Sequence, residues 1–288
     1  METTKKVKYH WTKAVVSIAV TLIAMPLTHI LARALKDGTT GVEQFYAGMG
    51  LGFFGLLLVI IGVFIKNDAR QTLLGLFGGM FYWMGAIDFL FMYYAERFHT
   101  QPQLDPVTGE IVSRPEYLLL SATFGFWAMT MMLYLFCTAN GCNLLNWFQK
   151  LFFGKHKKEI AARPMTRHTS IVTFMEVMCM LWTCYLTLMF CYDERFLGDQ
   201  HPVTLMYGMV GFVGSLFMLY KLLRYSAWGI SLRFGFATVI IFWISVEVFD
   251  RIHILERIWA DPSACIWQIA VIVCSLIIGA FAFAKWKK

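Results

Sequence analysis

The stretch VFDRIHILERIW (248–259) places Asp250, Arg251, His253, Glu256 and Arg257 directly after an apolar run, with Glu247 just ahead of them. Carboxylates and an imidazole at helical spacing can hold a proton, a cation or a polar solute. Glu247 and Arg251 are four apart with the acid first, the better orientation for a pair along one helix face. His253 and Arg257 share that spacing, and Asp250 lies one turn below His253. A second acid, Asp88 in MGAIDFLF, interrupts an earlier apolar run. His29 and Arg33 reach similar depth on the first run, and Glu43 opens the second. These residues predict an outward-facing acidic and histidine vestibule for a ligand or ion, lined by His29, Arg33, Glu43, Asp88, Glu247, Asp250, Arg251 and His253. The competing reading is a self-neutralising cluster at a helix end, anchored by Trp259.

Glu176 stands apart, in VTFMEVMCM near the inner edge of its run, and no basic residue in that run can pair with it. It reads either as a hydrogen-bonded structural acid or as a step on an inner-leaflet ion path. Glu96-x-x-His99 and Asp250-x-x-His253 each set an acid and a histidine on one helix face, a pattern that can build di-metal sites in bundles. Their registers disagree, so no metal is expected. HExxH, Walker A and GxSxG motifs are absent from the sequence, and no cofactor is expected.

The elements that must carry these groups are set by composition. Mean hydropathy is +0.60 and charged residues make up 15%, against about 25% in an ordinary soluble domain. Eight apolar segments are each long enough to cross the bilayer as a helix: 13–36, 43–65, 71–95, 115–138, 169–192, 202–223, 232–254 and 263–284. Strand alternation is missing, so helices must satisfy the backbone in lipid. The first segment follows Lys5, Lys6 and Lys8 and reads as an uncleaved signal anchor.

FYWMGAIDFLFMYYAERF (81–98) matches IFWISVEVFDRIHILERI (241–258) at a constant offset of 160. Trp83 meets Trp243, Phe89 meets Phe249, Glu96 meets Glu256 and Arg97 meets Arg257. The same offset pairs Gly48 with Gly208 and Gly75 with Gly235. The expected fold is therefore an all-α integral membrane protein, eight transmembrane helices in two parallel four-helix repeats (4+4). An even number of spans per half gives a pseudo-two-fold axis along the membrane normal. The first repeat covers 1–138 and the second 169–288; a cytoplasmic amphipathic and basic connector, 139–168, joins them. Glycines cluster in the second span of each half, where close helix approach is the simplest explanation.

The net charge of +7 maps onto topology. With Met1 inside, the inner loops and tails hold 18 of the 25 Lys and Arg, the positive-inside pattern. The basic loops then meet anionic headgroups of the lipid bilayer, and no nucleic acid is implied. Both termini are expected to be cytoplasmic, in a membrane of the bacterial cytoplasmic type. A membrane-protein partner or a homo-oligomer is compatible with this. Most of the seven cysteines fall inside apolar runs and none forms a CxxC, so they read as packing residues. Three functions remain open: a small transporter or channel for an ion or polar solute, a non-catalytic subunit of a larger membrane complex, and a membrane-embedded enzyme or binder for a lipid-like substrate.

Overall fold

A computed structural model describes residues 9–104, 109, 111–136, 151, 154 and 168–251. The helices are long because each apolar run must satisfy its own backbone in lipid. The first span is α1 (Trp11–Asp37), which takes Pro26 in its interior. The second is α2 (Val42–Val63). The third runs continuously through α3 (Asp68–Tyr82), a π-helical stretch (Trp83–Phe89) and α4 (Leu90–Arg97). Asn67 caps α3 by accepting from the Arg70 amide, which satisfies one of the free donors at a helix start.

A small antiparallel hairpin follows, β1 (Gln103–Leu104) against β2 (Ile111–Ser113). Then come α5 (Pro115–Ser121), α6 (Phe124–Phe136), α7 (Thr169–Tyr192), α8 (Pro202–Leu222) and α9 (Trp228–Arg251). Pro115 and Pro202 sit at the first helical position, where the missing N–H costs nothing.

Among the described residues, six helices are long and apolar enough to cross a membrane, or seven crossings if α5 and α6 act as one span bent by 49°. The sequence predicts an unbroken run over 115–138, and the bend is a finding. Its cause is local. The Thr123 hydroxyl donates to Leu120 O at 2.7 Å and accepts from Trp182 Nε1 at 2.9 Å, so the chain turns toward α7 at this residue. Trp127 Nε1 reciprocates, donating to Thr183 Oγ1 at 3.1 Å. The expected segment 263–284 lies outside the described residues, as does the connector apart from Leu151, Gly154 and His168. The hairpin has no counterpart in the hydropathy pattern, which records only a polar gap between spans.

The third span and α9 form the centre. The third span packs on α2, α7 and α9, while α9 packs on α8 and α1. Small residues set these approaches. A methyl group at Gly75 would overlap Ser170 and Thr173 of α7, and one at Gly235 would overlap Ser17 of α1. Gly48 of α2 lies against Phe89 and Leu90; Gly208 of α8 lies against Val248 and Phe249. Buried Leu76, Met80, Trp83, Phe89, Leu181 and Phe236 fill the space between the central helices. Ile23, Ile30, Phe53 and Val210 are exposed on the outer helices, as lipid-facing side chains would be.

One end of the bundle is tied by polar contacts. Thr169 Oγ1 donates to Asp68 Oδ1 at 2.8 Å, and the His10 amide donates to Leu223 O at 2.7 Å. Ser170 Oγ donates to Val59 O at 2.7 Å just inside this end, a buried link from α7 to α2. The hairpin and the carboxyl ends of α4, α7 and α9 lie at the opposite end.

Candidate functional site

Asp88 sits in the π-helical stretch of the third span. Such stretches widen the helix by one residue and occur often at functional sites. Glu247 sits four residues before Arg251, the last described residue of α9. Both carboxylates are half-buried. Both act electrostatically on the same two side chains, Tyr117 of α5 and Tyr185 of α7. His29 and Lys36 of α1, Glu116 of α5 and Arg114 just before it also act electrostatically on Asp88. Glu247 is flanked by Asp250 and Arg251 of its own helix.

The tyrosines are held by stacking. The Tyr185 ring lies 5.4 Å from Trp83 and 6.1 Å from Tyr117, with interplanar angles of 28° and 24°. Three rings from three spans thus form one column, Trp83, Tyr185 and Tyr117. Among the described residues, neither carboxylate accepts a hydrogen bond and neither has a cation within ion-pair distance. A carboxylate at membrane depth without such partners is expensive.

Tyr192 closes the Glu247 side. It is 1% exposed, its hydroxyl finds no hydrogen-bond partner among the described residues, and the Arg251 guanidinium lies 4.0 Å over its ring. A cavity of about 30 Å³ opens beside the cluster, lined by Thr28, His29, Trp83, Tyr185 and Ile240 among others. That volume holds roughly one or two waters. His29 Nδ1 lies 3.0 Å from Met25 O, so the imidazole is tethered to its own helix.

Of the vestibule residues read from sequence, His29 and Asp88 come together, as do Glu247, Asp250 and Arg251. Asp250 is exposed and reaches the cluster only through Glu247. Arg33 and Glu43 are exposed and are not among the electrostatic partners of either central acid. His253 lies outside the described residues. Sequence reasoning missed Tyr117, Tyr185 and Tyr192. Their one visible signal is a hydroxyl carried within or beside an apolar run, which elsewhere needs a partner.

Glu176 is not solitary. Arg233 of α9 reaches it at 3.7 Å, and each side chain is about a quarter exposed, at 24% and 25% respectively. The partner comes from another helix, which no inspection of the Glu176 span could reveal. Arg233 Nε is buried without a hydrogen bond among the described residues.

A second cavity, about 220 Å³, lies between α2, α3, α6 and α7. Leu56, Phe174, Met178 and Trp182 make it apolar. Among the described residues no three His, Cys, Asp or Glu side chains gather as metal ligands. No family model, curated protein or solved structure matches the chain.

Proposed function

We propose that this polytopic membrane protein is a small transporter or channel for an ion or polar solute, and that Asp88 and Glu247 line its path. The observation that carries the reading is that each of the two central spans holds one half-buried acid, Asp88 or Glu247, inside an apolar run. Acids at this depth usually face a bundle interior or an aqueous path. The Glu176–Arg233 pair stands near the other end of α9, as an inner constriction would.

The reading includes a 4+4 architecture of two parallel repeats. Two sets of contacts support it. Gly75 packs on α7 and Gly235 packs on α1, so the third span of each half rests on the first span of the other. Gly48 and Gly208 meet the third span of their own half at corresponding depth. Residues 263–284 would then complete the second half.

The experiment is flux. Purified full-length protein in proteoliposomes is given a pH gradient or a cation gradient, and internal dyes report movement. Transport abolished in Asp88→Asn and in Glu247→Gln, with melting unchanged, supports the reading. Absence of any flux from the native chain under every gradient would sink it.

The 220 Å³ apolar cavity favours a second reading, a binder of a lipid-like molecule. Native mass spectrometry of the purified chain tests this one, through a co-purifying lipid lost in Met178→Trp.

A further inference from the structure

The 220 Å³ cavity lies near the middle of the membrane. Tyr82, on its wall, closes the first 15 residues of the 30-residue third span. Hydrocarbon offers no hydrogen bonds at that depth, so a polar group there needs a partner from the protein or from a ligand. The wall meets this demand at all but one of its hydroxyl and indole groups. Trp127 Nε1 donates to Thr183 Oγ1 at 3.1 Å, Trp182 Nε1 to Thr123 Oγ1 at 2.9 Å, and Thr130 Oγ1 to Phe126 O at 2.9 Å. The Tyr82 hydroxyl makes no hydrogen bond among the described residues. The repeat offset pairs Tyr82 with Phe242, so this hydroxyl belongs to one half of the chain only.

The rest of the wall is aromatic and adaptable. The Phe174 ring meets Tyr82 edge-on at 5.5 Å and 75°, which holds the phenol in place. Met131, Met175 and Met178 fill the space between the rings, and their thioethers make favourable contacts with aromatic edges. Among the described residues α6 packs closely on α7 alone, because the 49° bend and the two indole–threonine bonds turn it that way. Leu56 of α2 and Met131 of α6 therefore face the cavity from helices that are not closely packed on each other. The gap between these two helices is the mouth toward lipid.

We infer, on the lipid-binding reading of this cavity, that it takes the head of a quinone-type lipid, a flat six-membered ring carrying oxygen, with Tyr82 donating to a ring oxygen and the tail leaving between α2 and α6. Size supports a ring. An apolar cavity of roughly 150 Å³ takes up benzene, so 220 Å³ has room for a ring with substituents. Chemistry supports an oxygen on it. A saturated acyl chain would fill the same space and leave the Tyr82 hydroxyl unpaired, at the cost of a buried polar group without a partner. A phosphate headgroup is disfavoured, since no Lys, Arg or His lines the cavity among the described residues.

The test is native mass spectrometry of the full chain, titrated with decylubiquinone and separately with decylbenzene, which has the ring and tail but no oxygen. The native chain should bind a single decylubiquinone. Tyr82→Phe keeps the ring and should weaken that binding by roughly 3–10-fold, the effect of one neutral hydrogen bond. Decylbenzene should bind more weakly, and equally to the native chain and Tyr82→Phe. Met178→Trp should abolish binding by filling the cavity. Thr130→Phe fills it from the less packed α6 and should do the same with the fold undisturbed. Equal affinity of decylubiquinone for the native chain and Tyr82→Phe would overturn the inference, as would binding that survives both filling variants. A co-purifying phospholipid that is lost in the filling variants and not displaced by decylubiquinone would remove the quinone class and leave the lipid-binding reading standing. A native chain that carries no lipid and takes up neither probe would remove both.

Discussion

Phe89 of the third span packs on Gly48, and Phe249 of α9 packs on Gly208, the same pairing 160 residues on. Asp88 directly precedes Phe89, whereas Glu247 stands two residues before Phe249. Exchanging Ile87 and Asp88 (Ile87→Asp with Asp88→Ile) puts the acid where the alignment would have it. This variant should fold and lose flux as completely as Asp88→Asn. Retained flux would show that the π-helical register is irrelevant to the site.

Glycine contacts at the centre should be far less tolerant than glycines facing open space. Gly235→Leu must displace Ser17, and overpacking of this kind costs about 1–3 kcal/mol. Gly50 has nothing near its missing Cβ, so Gly50→Ala should stabilise α2 by roughly 0.5–1 kcal/mol. Melting in detergent, followed by tryptophan fluorescence, would rank the two. Equal effects would contradict the packing.

The Glu176–Arg233 pair should be coupled. Removing one partner leaves a half-buried charge alone, whereas removing both does not. The double variant of Glu176→Gln with Arg233→Met should be destabilised by less than the sum of the two single variants. A coupling on the order of 0.5–3 kcal/mol is expected for residues in contact. Strict additivity in chemical denaturation would mean the 3.7 Å contact carries no energy.

The bend between α5 and α6 should depend on Thr123. Thr123→Val removes the acceptor for Trp182 and the donor to Leu120, with an expected loss of about 1 kcal/mol per hydrogen bond. Because this region positions Tyr117, the variant should also weaken flux. A fully active, equally stable Thr123→Val would assign the bend to something else.

Topology can be measured without any assumption about activity. Reporters inserted in the hairpin between β1 and β2 should read outside, and reporters at Lys66 or after Tyr225 should read inside, by the basic-residue bias. Opposite labelling of these sites would invert the vestibule.

The sequence by itself determined the membrane class and most helix bounds, because bilayer thickness and backbone satisfaction act on each segment locally. Thr169–Tyr192 was legible to the residue, and Val42–Val63 within two, from apolar length alone. It also exposed Asp88, Glu247 and Glu176, since an acid in an apolar run stands out without any partner. Tertiary structure decided everything that depends on a neighbour. Arg233 meets Glu176 from another helix, and Tyr117 and Tyr185 stack on each other from spans far apart in the chain. The π-helical turn is the clearest case. Its residues, WMGAIDF, carry no local signal for widening, and the contacts they make, Gly85 on Gly48 and Trp83 on Tyr185, come from other helices.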